Sequence, residues 1–185
     1  MRTVPRFLSA AAVTTVLFAL PAAVLAQDAQ PSAVEYRKTT LHDNYNAWLP
    51  NGVIVGKHGI NEGNLIVASV VTNSVRIVDP ESGKILKEWA GEENGMLGAD
   101  DVTEGPDGTI YHVNADGPGL GYIRPNGEIG VLAKDDFEGG WTNAIAISED
   151  GKTLFFTQAI GQDAIYTLDL SDPNARAVQQ NVNHE

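Results

Sequence analysis

Asp100 and Asn143 stand 43 residues apart, and each lies eight residues before a glycine, Gly108 and Gly151. One offers a carboxylate, the other an amide carbonyl, and both are hard oxygen donors. Such side chains can ligate a divalent cation, accept hydrogen bonds from a small polar ligand, or cap turns by bonding backbone N–H groups. Asp101 alternates to the other side of its strand and reads as a structural acceptor. Trp141, two residues before Asn143, has the flat face to stack on a ring-shaped ligand or the bulk to plug a junction between sheets. The four histidines show no zinc-like spacing: His112 falls in an apolar strand, His58 in a Gly-flanked loop, and His42 and His184 in terminal segments. No Gly-x-Ser-x-Gly elbow or phosphate-cradling loop is present. Cysteine is absent, which removes thiolate chemistry and disulfide support together.

Equal offsets call for equal scaffolds. Asp100 to Asp107 leads into Gly108-Thr109-Ile110-Tyr111, and Asn143 to Asp150 leads into Gly151-Lys152-Thr153-Leu154-Phe155. A weaker copy ends at Gly63, so the glycines at 63, 108 and 151 are spaced by 45 and 43 residues. That period, with β-branched and aromatic residues in every unit, is the signature of β-propeller blades. The expected class is all-β: four-stranded antiparallel blades at about 48–90, 95–135 and 139–180, within a partial propeller over 48–185. The clearest strands of the first blade are Leu65–Val71, Ser74–Val78 and Lys84–Trp89. Ala144 to Ile147 reads as an inner strand buried on both faces. The Asp-Gly pairs at 107–108 and 150–151 are expected to be architectural, since their turns need positive φ. Propellers use typically 4 to 8 blades. Three leave the ring incomplete, which points to a piece of a longer propeller or, as the alternative, a homodimer in which two copies make one ring of six.

Residues 1–26 read as a secretory signal: a basic start at Arg2 and Arg6, an apolar run from Phe7 to Leu20, Pro21, and small residues before Gln27. A membrane anchor is the rival reading of the same stretch. Export implies a periplasmic or secreted protein, with 27–47 as a polar N-terminal linker. Removing the leader takes the net charge from −12 to −14. A surface that acidic repels nucleic acid and anionic lipid, which leaves neither as a partner after cleavage.

The run from Asn143 to Asp169 resembles the pattern Asn-Gly-(apolar)-Ala-(apolar)-Ser-x-Asp-Gly-Lys-x-Leu-(aromatic) of the gluconolactonase/regucalcin family of six-bladed propellers. Asp100-Asp101 with Gly108 resembles the Asn-Asp lead-in of that family one blade earlier. The resemblance covers roughly residues 48 to 175. It implies a divalent cation, usually calcium, at one mouth of the central channel, activating water or polarising a lactone carbonyl. The family's metal is held by a Glu, an Asn and an Asp from different blades. Asn143 matches the Asn. Asp100 matches a position that helps hold substrate and metal-bound water, where the family has Asn. The Asp ligand, which is also the general base, would fall beyond residue 185, and the offset for the Glu falls on Val55. The resemblance thus implies a metal-dependent hydrolase of a sugar lactone or similar small ester, with Asp100 and Trp141 against substrate and Asn143 and Asp100 toward metal. A non-catalytic propeller that binds a small molecule or a protein at its mouth is the other reading.

Overall fold

The computed structural model describes residues 49–117, 119–133, 136, 141–158 and 164–180, all within one compact unit, Thr39–Glu185. The expected leader (1–26), the expected linker (27–47), His42 and His184 lie outside the described residues. Short β-rich segments broken by Gly, Asp and Asn leave the chain one economical way to satisfy its backbone, which is to fold each strand back on the last. Blade one is β1 (Val53–Val55), β2 (Leu65–Ser69), β3 (Ser74–Val78) and β4 (Ile85–Ala90). Blade two is β5 (Ala99–Glu104), β6 (Ile110–Asn114), β7 (Leu120–Ile123) and β8 (Ile129–Leu132). Blade three is β9 (Thr142–Ile147), β10 (Thr153–Gln158), β11 (Ala164–Asp169) and β12 (Val178–Gln180). Each is a four-stranded antiparallel meander in chain order, so the expected all-β propeller architecture is what the chain adopts. Helix among the described residues is limited to two single 3-10 turns, Gly59–Asn61 and Glu92–Asn94.

The hairpins form where Asp-Gly demands them. Gly108 and Gly151 take φ of 80° and 71°, a region where a Cβ is costly. Asp107 accepts from the Thr109 N–H at 3.0 Å and from its hydroxyl at 2.8 Å. Asp150 accepts from the Ser148 hydroxyl at 2.7 Å and the Lys152 N–H at 3.1 Å. Both carboxylates therefore serve the turn. The strand expected over Leu65–Val71 stops at Ser69, whose hydroxyl accepts from both the backbone and the side chain of Thr72 and pulls the chain into the turn.

Two apolar layers hold the blades face to face. Ile66, Ala68, Val75 and Ile77 of blade one meet Ala99, Val102, Ile110 and Ile123 of blade two, with Met96 between them. Val113 and Leu120 of blade two meet Ile145, Leu154, Phe156 and Leu168 of blade three. Phe156 and Tyr166, opposite each other in register, stack with centroids 5.5 Å apart. Burying a side chain of this size contributes about 2–3 kcal/mol.

Blade three corrects one expectation. Ile145 is buried, but Ala144 and Ala146 are exposed. Alternation sends them to the far face of the sheet, where Phe155, Ile165 and Val178 are also 42%, 39% and 58% exposed. Two-sided burial needs a neighbour on each side, and no described residue covers this flank.

Candidate functional site at the channel mouth

The inner strands carry the same irregularity at the same height in all three blades. In blade two, Ala99 pairs with Asn114 and Val102 with His112, so Asp100 and Asp101 together face Val113. In blade three, Thr142 pairs with Gln158 and Ile145 with Phe156, so Asn143 and Ala144 together face Thr157. In blade one the Asn51 N–H donates to the carbonyl of Ala68, whose N–H donates to the carbonyl of Gly52. Each is a bulge of two residues against one, a device that re-aims a side chain beside a site. The first residue of each bulge is Asn51, Asp100 or Asn143.

These three side chains meet. Nδ2 of Asn143 donates to Oδ2 of Asp100 at 2.8 Å, and Nδ2 of Asn51 donates to its Oδ1. Gly52 makes the approach possible. Its N–H donates to the Asp100 carbonyl at 2.8 Å, and a Cβ at position 52 would fall 2.6 Å from the Asp101 Cα. Asp101 is the structural acceptor its alternation suggests, taking the Ile145 N–H at 3.1 Å and tying β5 to β9. Thr142 pins the start of β9: its hydroxyl donates to the Asn114 carbonyl at 2.9 Å and accepts the Asn114 N–H at 3.1 Å.

Asp100 is only 6% exposed, while Asn51 and Asn143 are exposed. Burial, and after it the neighbouring Asp101 carboxylate, push the Asp100 carboxyl above the ordinary carboxylate range, with the Asn143 amide working in the opposite direction. Trp141, two residues before Asn143 in sequence, is 47% exposed. Asp100 and Asn143 are thus brought together as their equal offsets suggest.

Val55 is not the blade-one counterpart. It pairs with Leu65 at the far end of β1. The connection from β1 to β2 holds the extra 3-10 turn Gly59–Asn61, so counting back eight residues from Gly63 stops four residues short of the bulge. Counting forward would have found Asn51. In Asn51-Gly52-Val53, Asp100-Asp101-Val102 and Asn143-Ala144-Ile145 a polar residue stands two before the first Val or Ile of the inner strand.

The two described histidines, His58 and His112, stay out of the mouth. His112 is fully buried in β6, and burial depresses its imidazole to about 4. His58 packs beside Gly108, at the opposite end of β5 from Asp100. A cleft of about 720 Å³ also lies elsewhere, between blades two and three, lined by Tyr111, Tyr122, Arg124, Leu168 and Arg176 among others.

The donor set is small for the cation that the family resemblance implies. Calcium takes 6 to 8 oxygen ligands, and the mouth supplies one carboxylate whose two oxygens already accept from amide nitrogens. Among the described residues no group of three or more His, Asp or Glu is placed to hold a metal ion. The three side chains do not make a cation site by themselves.

No family model matches the chain, and no curated protein matches it. Solved structures do. Virginiamycin B lyase from Staphylococcus aureus superposes with a TM-score of 0.57 at 20% identity, over 73% of this chain and 42% of that one. A streptogramin B lyase gives 0.59 at 19% identity, over 75% and 42%. The hydrazine synthase of Kuenenia stuttgartiensis gives 0.53 at 20% identity, over 72% and 38%. Likeness at this identity shows the fold, a β-propeller, of which this chain spans about two fifths of the length of these neighbours.

Proposed function

We propose that the mouth built by Asn51, Asp100 and Asn143 binds a small polar molecule, and that in a complete ring it hydrolyses a lactone or similar small ester. The convergence of three homologous bulge residues on one buried carboxylate carries this reading. A purely structural role would be served by apolar residues there, as it is deeper between the blades. A carboxylate held above its usual range costs stability, and sites of that kind are kept for chemistry more often than for packing. In this reading Asp100 accepts a ligand hydroxyl, Asn143 and Asn51 contact the ligand's polar edge, and Trp141 offers its ring face.

The gluconolactonase/regucalcin assignment is the finer part of the proposal. It is supported by the lead-in at Asn143 and the matching offset at Asp100. In that family a divalent cation, usually calcium, supplies Lewis acidity at the mouth; Asn143 and Asp100 are the positions of this chain that match its surroundings, and they do not hold a cation by themselves. Export to the periplasm or outside the cell, read from residues 1–26, belongs to the same proposal.

The second reading is a binding module without turnover, and the sparse acidic set at the mouth favours it. One experiment addresses both. Saturation-transfer NMR on the full chain with 1,5-gluconolactone is expected to show contact to the sugar protons, and Asn143→Ala to remove it. Contact with no acid release above the spontaneous rate selects the binding module. Equal contact in wild type and Asn143→Ala would sink the site itself.

A further inference from the structure

An amide side chain has two nearly isosteric edges, and shape alone does not choose between them. Chemistry chooses here. An ionised carboxylate accepts and never donates, so an amide that bonds to it must present nitrogen. Asn51 and Asn143 do so from either side, one to each oxygen of Asp100. Their carbonyl oxygens are thereby turned away from Asp100, and neither has a hydrogen-bond donor among the described residues. Both residues are exposed. Asparagine at position 100, as in the family that the sequence resembles, could donate as well as accept and would leave both orientations unset.

We propose that Asp100 is the positioning residue of the mouth: it locks the two flanking amides with their carbonyl oxygens toward the channel, so that the mouth selects ligands rich in hydrogen-bond donors, hydroxylated rings above all. The selectivity half rests on the mouth being the binding site argued above. The orienting half stands without any ligand.

Side-chain amide spectra of the full chain at one fixed pH test the orienting half. One proton of each NH2 group, on Asn51 and on Asn143, is expected to be shifted downfield by its carboxylate partner. Asp100→Asn should return both toward free-amide positions while the backbone spectrum stays that of the folded chain, and Asp101→Asn should leave both in place. Free-amide signals in the wild type, or signals that survive Asp100→Asn, overturn the proposal. The selectivity half is read with a matched pair of probes, 1,5-anhydroglucitol and tetrahydropyran, which share a ring and differ in hydroxyls. A preference of at least about tenfold for the first corresponds to about 1.4 kcal/mol, the scale of one good donor–acceptor contact. Asp100→Asn should cut that preference severalfold. An unchanged preference overturns the selectivity claim. Correctly oriented amides with neither probe bound would defeat the binding reading of the mouth and keep the orienting role.

Discussion

Thr142 and Asn114 hold each other twice, hydroxyl to carbonyl at 2.9 Å and N–H to hydroxyl at 3.1 Å, across the junction of blades two and three. Both are fully buried, and Thr142 is the residue immediately before Asn143. The pair therefore joins inter-blade packing to the geometry of the mouth. Thr142→Val keeps the shape and removes the hydroxyl, leaving two backbone groups of Asn114 without that partner. Each orphaned buried group costs about 1–3 kcal/mol. Urea unfolding should show a loss of that order, and the Asn143 side-chain amide signal should broaden.

His112 makes stability fall in mild acid. Its imidazole titrates near 4 in the fold, below its ordinary 6.5, because burial disfavours the charged form. The unfolded chain takes up the proton first. The stability that neutral His112 contributes is whole above about pH 6.5 and is lost as pH falls toward 4, on the order of 3 kcal/mol in all. Nε2 has no hydrogen-bond partner among the described residues, and the ring lies against Gly121, where a Cβ would overlap it. Melting curves of the wild type and His112→Leu between pH 7 and 4.5 check this: the variant should show a shallower decline.

Asp100 has the opposite sign. Its folded carboxyl is raised, so its charged form is disfavoured by the fold, and the strain sets in as pH rises through its range. Asp100→Asn is expected to melt at the same temperature as wild type or higher at pH 7, while ligand contact at the mouth weakens. A clear drop in melting temperature would count against a site maintained at the expense of stability.

Millimolar calcium should leave the melting temperature of the wild-type chain unchanged, because one carboxylate and two amides are too few donors. Asn51→Asp puts a second carboxylate against Asp100. That variant is expected to melt lower without calcium, from the repulsion between the two charges, and to recover when calcium is added. A wild-type response to calcium would show that donors beyond the three named ones reach the mouth.

The bared flank of blade three should make the chain self-associate. Phe155, Ile165 and Val178 are exposed apolar side chains on one face of the sheet, around Thr167 and with Asp169 at its end, and exposed apolar side chains on an uncovered sheet face seek partners. Ile165→Lys is expected to lower the apparent mass in light scattering at high concentration and to leave the Asn51 and Asn143 amide signals in place.

Much of this was legible in the sequence. The glycine period gave the blades, and the eight-residue offset placed Asp100 and Asn143 at equivalent positions of neighbouring sheets. The strand position of His112 argued against a ligand role and left open whether its ring is packed or solvated; the structure packs it. Asn51 was hidden because its signal runs forward from the strand and not backward from the turn, and the 3-10 turn at Gly59–Asn61 upset the count. Two-sided burial of Ala144 and Ala146 failed for a different reason: periodicity reports which residues share a face, and whether that face has a neighbour is decided elsewhere.

The extra turn in blade one lengthens the hairpin at the distal end of β1 and β2, yet Asn51 still reaches Asp100. The bulge is anchored by Ala68 of its own sheet and by the backbone of the next inner strand, so it takes its position locally. Length variation at one end of a blade is decoupled from alignment at the other. The distal hairpins are accordingly where new segments can be grafted, and a chain enlarged there should keep its mouth intact.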